Sequence, residues 1–290
     1  MKSQALIQSL FSPDGAPRIG MNFGLGRRND LCGASAGLPQ GYTQRRWVEG
    51  ETEYYDDMWG NIWHRMQDGS AQGEIYRPVL QDWEQLPKLK MPVFDRATVT
   101  GRFRSGFEPF PDHFKIAGLP GWIFASARYL RKLENYLLDM ALYPEELKRL
   151  HAKIAELYAL LIEAAGDAGA DGIFFCEDLG TQRDLLFSPE MWMEYFSELY
   201  RGLFTLAHER GMRVLMHSCG NNHKLLEPLL QAGVNCFQFD QPRLYDRAFL
   251  SALLQKYHAA LWAPVDIQMI LPTGDKALIQ ADARQMCQDF

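Results

Sequence analysis

Residues 213–222, RVLMHSCGNN, decide how the rest of the chain is read. The apolar run Val214-Leu215-Met216 ends in His217-Ser218-Cys219-Gly220, and a helical pattern opens at Asn222. A short apolar run bounded by turn residues reads as a strand buried on both faces, the kind found in parallel sheets covered by helices. Parallel α/β folds carry their chemistry at the C-terminal ends of the strands. Here that end bears an imidazole and a thiol, two good metal-ligating groups. Side chains at i and i+2 of a strand share a face, so extended geometry to residue 219 would turn His217 and Cys219 toward one ion.

The alternation around this stretch sets the fold class. Strand 213–217 is followed by helix 222–232, strand 235–239, helix 246–258, strand 260–265 and helix 275–290. Upstream, residues 171–177, DGIFFCE, form another continuous apolar run between turn residues. Ser188-Pro189-Glu190 opens the intervening helix with an N-cap, a proline in the first turn and a carboxylate at the positive end of the dipole. Its buried stripe is Trp192, Tyr195, Phe196, Leu199, Leu203 and Leu206, and Gly211 ends it. Pro144 opens a long helix with Leu147, Leu150, Ile154, Leu157 and Leu161 on one face, closed near residues 166–169. Strand–helix–strand at this rhythm predicts a parallel sheet with right-handed crossovers. Strands are expected near residues 18, 75, 99, 173, 214, 236 and 262. The expected fold is an α/β (β/α)8 TIM barrel, apparently lacking its last strand, because the chain stops inside the helix that should precede it.

The N-terminal part is less regular. Residues 5–11 read as a short helix stopped by Ser12-Pro13-Asp14-Gly15, and residues 17–23, PRIGMNF, as a first strand. Gly24-Leu25-Gly26 begins like a dinucleotide loop, but Asn29 stands where the third glycine belongs and no helix opens there, so an arginine-bearing loop is expected. Trp59 and Trp63 around a glycine in YYDDMWGNIW suit a hairpin or an irregular cap over a barrel mouth. Residues 97–103, ATVTGRF, are strand-like and run into an aromatic loop, FEPFPDHF. The chain is read as one domain, 1–290, with an aromatic-rich cap or hairpin insertion around 41–90.

Composition narrows the function. The chain has 290 residues, 47% of them hydrophobic, and a formal charge of −6, enough for a large core and opposed to nucleic acid or an anionic membrane as the main partner. No apolar run approaches the roughly 20 residues that span a bilayer, and the N-terminus lacks a secretory signal pattern. Five scattered cysteines do not form a disulfide framework. A cytoplasmic protein acting on a small molecule is the expectation; the oligomeric state is not legible.

Glu177-Asp178 close the strand before the His-x-Cys strand, at the same end of the sheet, beside Gly180-Thr181-Gln182. Carboxylates placed there suit a general acid or base, or completion of a metal shell, and Glu177 and Asp178 are the catalytic candidates. Gln182, Gln238, Gln241 and Asp266 fall at the ends of neighbouring strands and are expected to bind a small polar substrate. Cys176 and Cys236 sit within strand runs and are expected to be inert core thiols. His64, His113 and His223 are weaker candidates, whereas His151, His208 and His258 fall on helices and are expected at the surface.

The ordered pieces DGIFFCEDLGTQ, LFSPEMWMEYF, AHERGMRVLMHSCGN, LLEPLLQAGVNCFQFDQP and APVDIQMILPTG closely resemble the uroporphyrinogen decarboxylase (URO-D) superfamily. YYDDMWGNIW and ENYLLDMALYPEEL resemble its methyltransferase-like branch. The resemblance implies a (β/α)8 barrel and either of two chemistries. True decarboxylases of the superfamily are cofactor-free and use arginines and an aspartate; their N-terminal Arg-Gln-Ala-Gly-Arg motif has no match here, Arg27-Arg28 being the nearest substitute. Related corrinoid-dependent methyltransferases bind zinc through His-x-Cys and a later cysteine. His217-Ser218-Cys219 matches the first half, and the second would lie beyond Phe290, Cys287 being misplaced for it. The favoured implication is zinc at His217 and Cys219, with methyl transfer between a thiol or small methylated compound and methylcobalamin carried by a partner corrinoid protein. A porphyrinogen decarboxylase is the alternative, and a non-catalytic ligand-binding barrel the third reading.

Overall fold

A computed structural model of the chain describes residues 1–23, 26–68 and 73–290; Gly24 and Leu25 of the dinucleotide-like loop lie outside the described residues. The chain opens with helix α1 (Ser3–Ser9) and strand β1 (Leu31–Ser35), then forms β2 (Arg46–Glu49), β3 (Thr52–Asp56), β4 (Ile62–Met66) and β5 (Glu74–Arg77). Helix α2 (Arg96–Phe107) leads to β6 (Phe114–Gly118), followed by α3 (Ile123–Arg131), α4 (Leu133–Leu142) and α5 (Pro144–Asp167). The remainder alternates through β7 (Gly172–Cys176), α6 (Pro189–Tyr195), α7 (Ser197–Glu209), β8 (Arg213–His217), α8 (Leu226–Ala232), β9 (Cys236–Gln238), α9 (Arg247–Tyr257), β10 (Ala260–Trp262) and α10 (Lys276–Asp289).

Strands β1, β6, β7, β8, β9 and β10 lie side by side in that order and pair in parallel. Spatial order that follows chain order, with helices between, is TIM-barrel winding; a doubly wound sheet would reverse at a switch point. The sheet is also curled. Phe174 on β7 and Trp262 on β10 are three strands apart, about 14 Å in a flat sheet, yet their rings lie 5.6 Å apart. The fold is α/β and TIM-barrel-like, as the alternation predicts.

The curl creates an inner and an outer core. Inside, Phe114, Ile116, Leu215 and Cys236 meet Ile7 and Phe11 from the α1 region. Gln4 of α1 donates to the Asp171 carboxylate at 2.7 Å, just before β7, so α1 sits under the N-terminal ends of the strands. Outside, Trp122 is fully buried, stacked on Phe175 of β7 at 4.0 Å and meeting Tyr200 and Phe204 of α7. Strands β2–β5 form a separate antiparallel sheet whose Trp63 packs on Tyr129 of α3 at 4.7 Å.

Several expectations change. Residues 17–23 form no strand: the buried Asp30 carboxylate gathers the Arg18 guanidinium at 2.7 and 2.8 Å and the Met21 amide at 2.9 Å, wrapping the segment round itself. The first parallel strand is β1 instead. The strand expected near 99 is helix α2: Asp95 caps it by accepting from the Thr98 amide at 2.7 Å, and Val99, Thr100, Phe103 and Phe107 form its buried side. The strand near 75 belongs to the antiparallel sheet. His151 is fully buried on α5, hydrogen-bonded to Tyr136 at 2.9 Å, because it falls on the same buried face as Leu147, Ile154 and Tyr158. Among the described residues no helix is long and apolar enough to cross a membrane.

Candidate metal centre

The C-terminal ends of β7, β8 and β9 hold the candidate side chains. Cys176, His217 and Gln238 are register partners across these strands, so they share the concave face at one level. Two residues beyond Cys176 the same face presents Asp178, and two beyond His217 it presents Cys219. Asp178, His217 and Cys219 bring a carboxylate oxygen, a ring nitrogen and a sulfur within 4.8 Å of one another. His217 Nε2 lies 3.4 Å from Cys219 Sγ and 3.6 Å from Asp178 Oδ1.

Those spacings suit a shared cation. Metal–donor bonds of about 2.0–2.3 Å in tetrahedral geometry put neighbouring donor atoms about 3.3–3.7 Å apart. A nitrogen, a sulfur and an oxygen form a donor set that zinc accepts, and three protein ligands leave a position open. Burial, with help from the Asp178 and Asp240 carboxylates and Cys176, pushes the Cys219 thiol up to about 11 in the absence of an ion.

The loops are locked at backbone level. The Asn221 amide donates to the Thr181 carbonyl at 2.7 Å, and the Cys219 amide to Asp178 Oδ1 at 2.8 Å. Gly220 has φ +82°, and an added Cβ would stand 2.8 Å from the Thr181 carbonyl oxygen. Behind the turn, buried Asn222 donates to Ser218 Oγ at 2.9 Å, while the Tyr245 hydroxyl donates to the Gly220 carbonyl at 2.9 Å.

The other expected site residues separate. Glu177, one residue from Asp178, faces the opposite side of the pleat and is fully buried. Its carboxylate accepts the Phe124 and Ala125 amides at 2.8 Å each and the Tyr200 hydroxyl, capping the N-terminus of α3. Burial pushes it up to about 7, opposed by those hydrogen bonds and by Arg128. It therefore does not reach the cluster, and the catalytic expectation for Glu177 gives way to a structural one. Asp266 is likewise buried and spent on local amides, those of Gln268 at 2.9 Å and Met269 at 2.7 Å, rather than offered to a ligand. Gln182 donates to Gln241 at 3.1 Å and Gln241 to Gln268 at 2.9 Å, so these amides strap three loops across the mouth. Gln238 is bonded through Oε1 to His217 Nδ1, and its Nε2 donates to Asp240 at 2.8 Å.

Two residues escaped the sequence reading. Cys176 is exposed at the strand end, not a core thiol, whereas Cys236 is buried as expected. Arg128 of α3, only 13% exposed, donates to the Asp178 carbonyl at 3.4 Å and lies 3.7 Å from its carboxylate. Its available signal was an arginine among the apolar residues of FASARYLR, one of two there with Arg131.

The uroporphyrinogen decarboxylase (URO-D) family matches residues 66–289. No curated protein matches the sequence. A solved methyltransferase from Methanosarcina mazei superposes with a TM-score of 0.61 at 16% identity, over 76% of this chain and 64% of that one. The chain thus spans less than two thirds of that protein's length, and at that identity the likeness is one of fold. D-psicose 3-epimerase from Clostridium cellulolyticum H10 (TM-score 0.31, 8% identity, 71% of this chain and 82% of that) carries no argument at that score. Nor does a radical S-adenosylmethionine methyltransferase from Kitasatospora setae (TM-score 0.25, 12% identity, 51% of this chain and 31% of that).

Proposed function

The chain belongs to the uroporphyrinogen decarboxylase family, and from that premise we propose that it is a zinc-dependent methyltransferase of the corrinoid-linked kind. The observation that carries this reading is the convergence of Asp178, His217 and Cys219 within 4.8 Å at the barrel mouth. His217 Nε2, Cys219 Sγ and an Asp178 oxygen would hold the ion. Zinc so bound supplies Lewis acidity that lets a thiol lose its proton near neutral pH.

The chain's own residues prepare that chemistry. The Cys219 amide fixes Asp178 Oδ1 toward the imidazole. Cys176, the Gln182–Gln241–Gln268 amides and Arg128 surround the open side with groups able to receive a small polar thiol or methylated compound. The methyl partner in this reading is methylcobalamin on a separate corrinoid protein.

Metal analysis tests the reading. The purified chain should carry about one zinc, lost in Cys219→Ala and in Asp178→Ala. A wild-type chain that binds no zinc and converts uroporphyrinogen would replace this reading with the decarboxylase.

A further inference from the structure

Resting on the reading that His217 is a metal ligand, we infer that Asp240 and Gln238 are positioning residues that together decide which nitrogen of His217 is free to bind the ion. The inference comes from donor and acceptor bookkeeping along one line of side chains. An aspartate carboxylate only accepts hydrogen bonds. Gln238 has its amide nitrogen 2.8 Å from Asp240 Oδ1, so the amide must turn its NH2 group to Asp240 and its oxygen away. That oxygen meets His217 Nδ1 on the neighbouring strand, where His217 and Gln238 are register partners. An amide oxygen accepts, so Nδ1 carries the proton. Nε2 is then left with its lone pair, and it is Nε2 that lies 3.4 Å from Cys219 Sγ and 3.6 Å from Asp178 Oδ1.

The proton on one side of the ring is thus set by a carboxylate two side chains away. Without Asp240 nothing prevents the Gln238 amide from reversing, offering its NH2 group to Nδ1 and moving the proton to Nε2. That tautomer points an N–H at the other two donors and cannot bind a cation there. The amide differs from a carboxylate placed directly against the ring: it orients the imidazole without adding a charge in contact with it. The expectation that Gln238 binds substrate gives way to this role.

Nitrogen-15 NMR of the metal-free chain above the ordinary imidazole titration range, about pH 9, reads the tautomer directly, and zinc competition titration reads its consequence. In the wild type His217 should be protonated at Nδ1 alone. In Asp240→Asn and in Gln238→Met the proton should be shared with or moved to Nε2, and zinc affinity should fall about 10–100-fold, with Asp240→Glu restoring both. A wild-type His217 protonated at Nε2, or variants that keep the Nδ1 proton with unchanged affinity, would overturn the inference. If the tautomer responds as stated but the wild type binds no zinc, the relay stands and the zinc reading alone falls.

Discussion

Two fully buried ionisable groups should pull the stability of this protein in opposite directions between pH 4.5 and 7, and substituting either should expose the other. Burial holds Glu177 protonated up to about 7, against 4.5 for an ordinary glutamate. Through that window the unfolded chain sheds a proton that the folded chain keeps. The stability tied to Glu177 is therefore complete below pH 4.5 and is lost as pH rises through 7, by about 3 kcal/mol at about 1.36 kcal/mol per unit. Burial holds His151 neutral down to about 3, against 6.5 when unfolded. Its contribution is complete above pH 6.5 and is lost as pH falls toward 3, by about 5 kcal/mol in total. Between pH 4.5 and 6.5 the two slopes are equal and opposite. Urea denaturation of wild type, Glu177→Gln and His151→Gln at half-unit steps measures them. The wild-type advantage over Glu177→Gln should shrink by about 3 kcal/mol from pH 4.5 to 7. The advantage over His151→Gln should grow by about 1.4 kcal/mol for each unit of rising pH up to 6.5. Constant offsets from lost hydrogen bonds do not affect these differences. Variant profiles running parallel to the wild type would refute the assignment of the slopes to these two groups.

Gly220→Ala should cost at least about 2 kcal/mol, from a left-handed backbone and a clash with the Gly180–Thr181 carbonyls. Thermal unfolding measures the loss, and zinc titration should show weaker binding although no ligand is changed. Arg131→Met should cost about 3–5 kcal/mol, because Arg131 is buried against Asp139 at 2.7 Å and donates to the Leu80 and Gln81 carbonyls. Adding Asp139→Leu should recover part of that loss in urea denaturation; a double variant weaker than the single would contradict the charge-burial explanation.

Strands β7 and β8 were legible because each carries an uninterrupted apolar run between turn or polar residues, IFFC and VLM. β1, LCGAS, and β6, FKIAG, were not: β1 is made mostly of small residues, and in β6 Lys115 interrupts the apolar run whose inward residues are Phe114 and Ile116. ATVTGRF misled in the opposite way: β-branched residues imitate a strand, and only the Asp95 cap betrays the helix. At the site, period two joined His217 to Cys219 from sequence alone. Applied to residues 176–178, the same period would have set Cys176 and Asp178 on the face of the cluster and Glu177 behind it. The Gln238–His217 pairing depends on register between strands separated by a helix, which no local pattern encodes.

Because neighbouring carboxylates look out on opposite sides of one strand, the length of β7 is constrained in a way that its following loop is not. Inserting or deleting one residue within Gly172–Cys176 would exchange the two acids. The helix would then lose its buried anchor, and the acid that served it would be offered to solvent beside the imidazole. Lengthening the loop that follows does not exchange the acids, but Gly180 and Thr181 are held against the 220–221 turn, so variation at this mouth has room only beyond those locked residues and almost none in the strand.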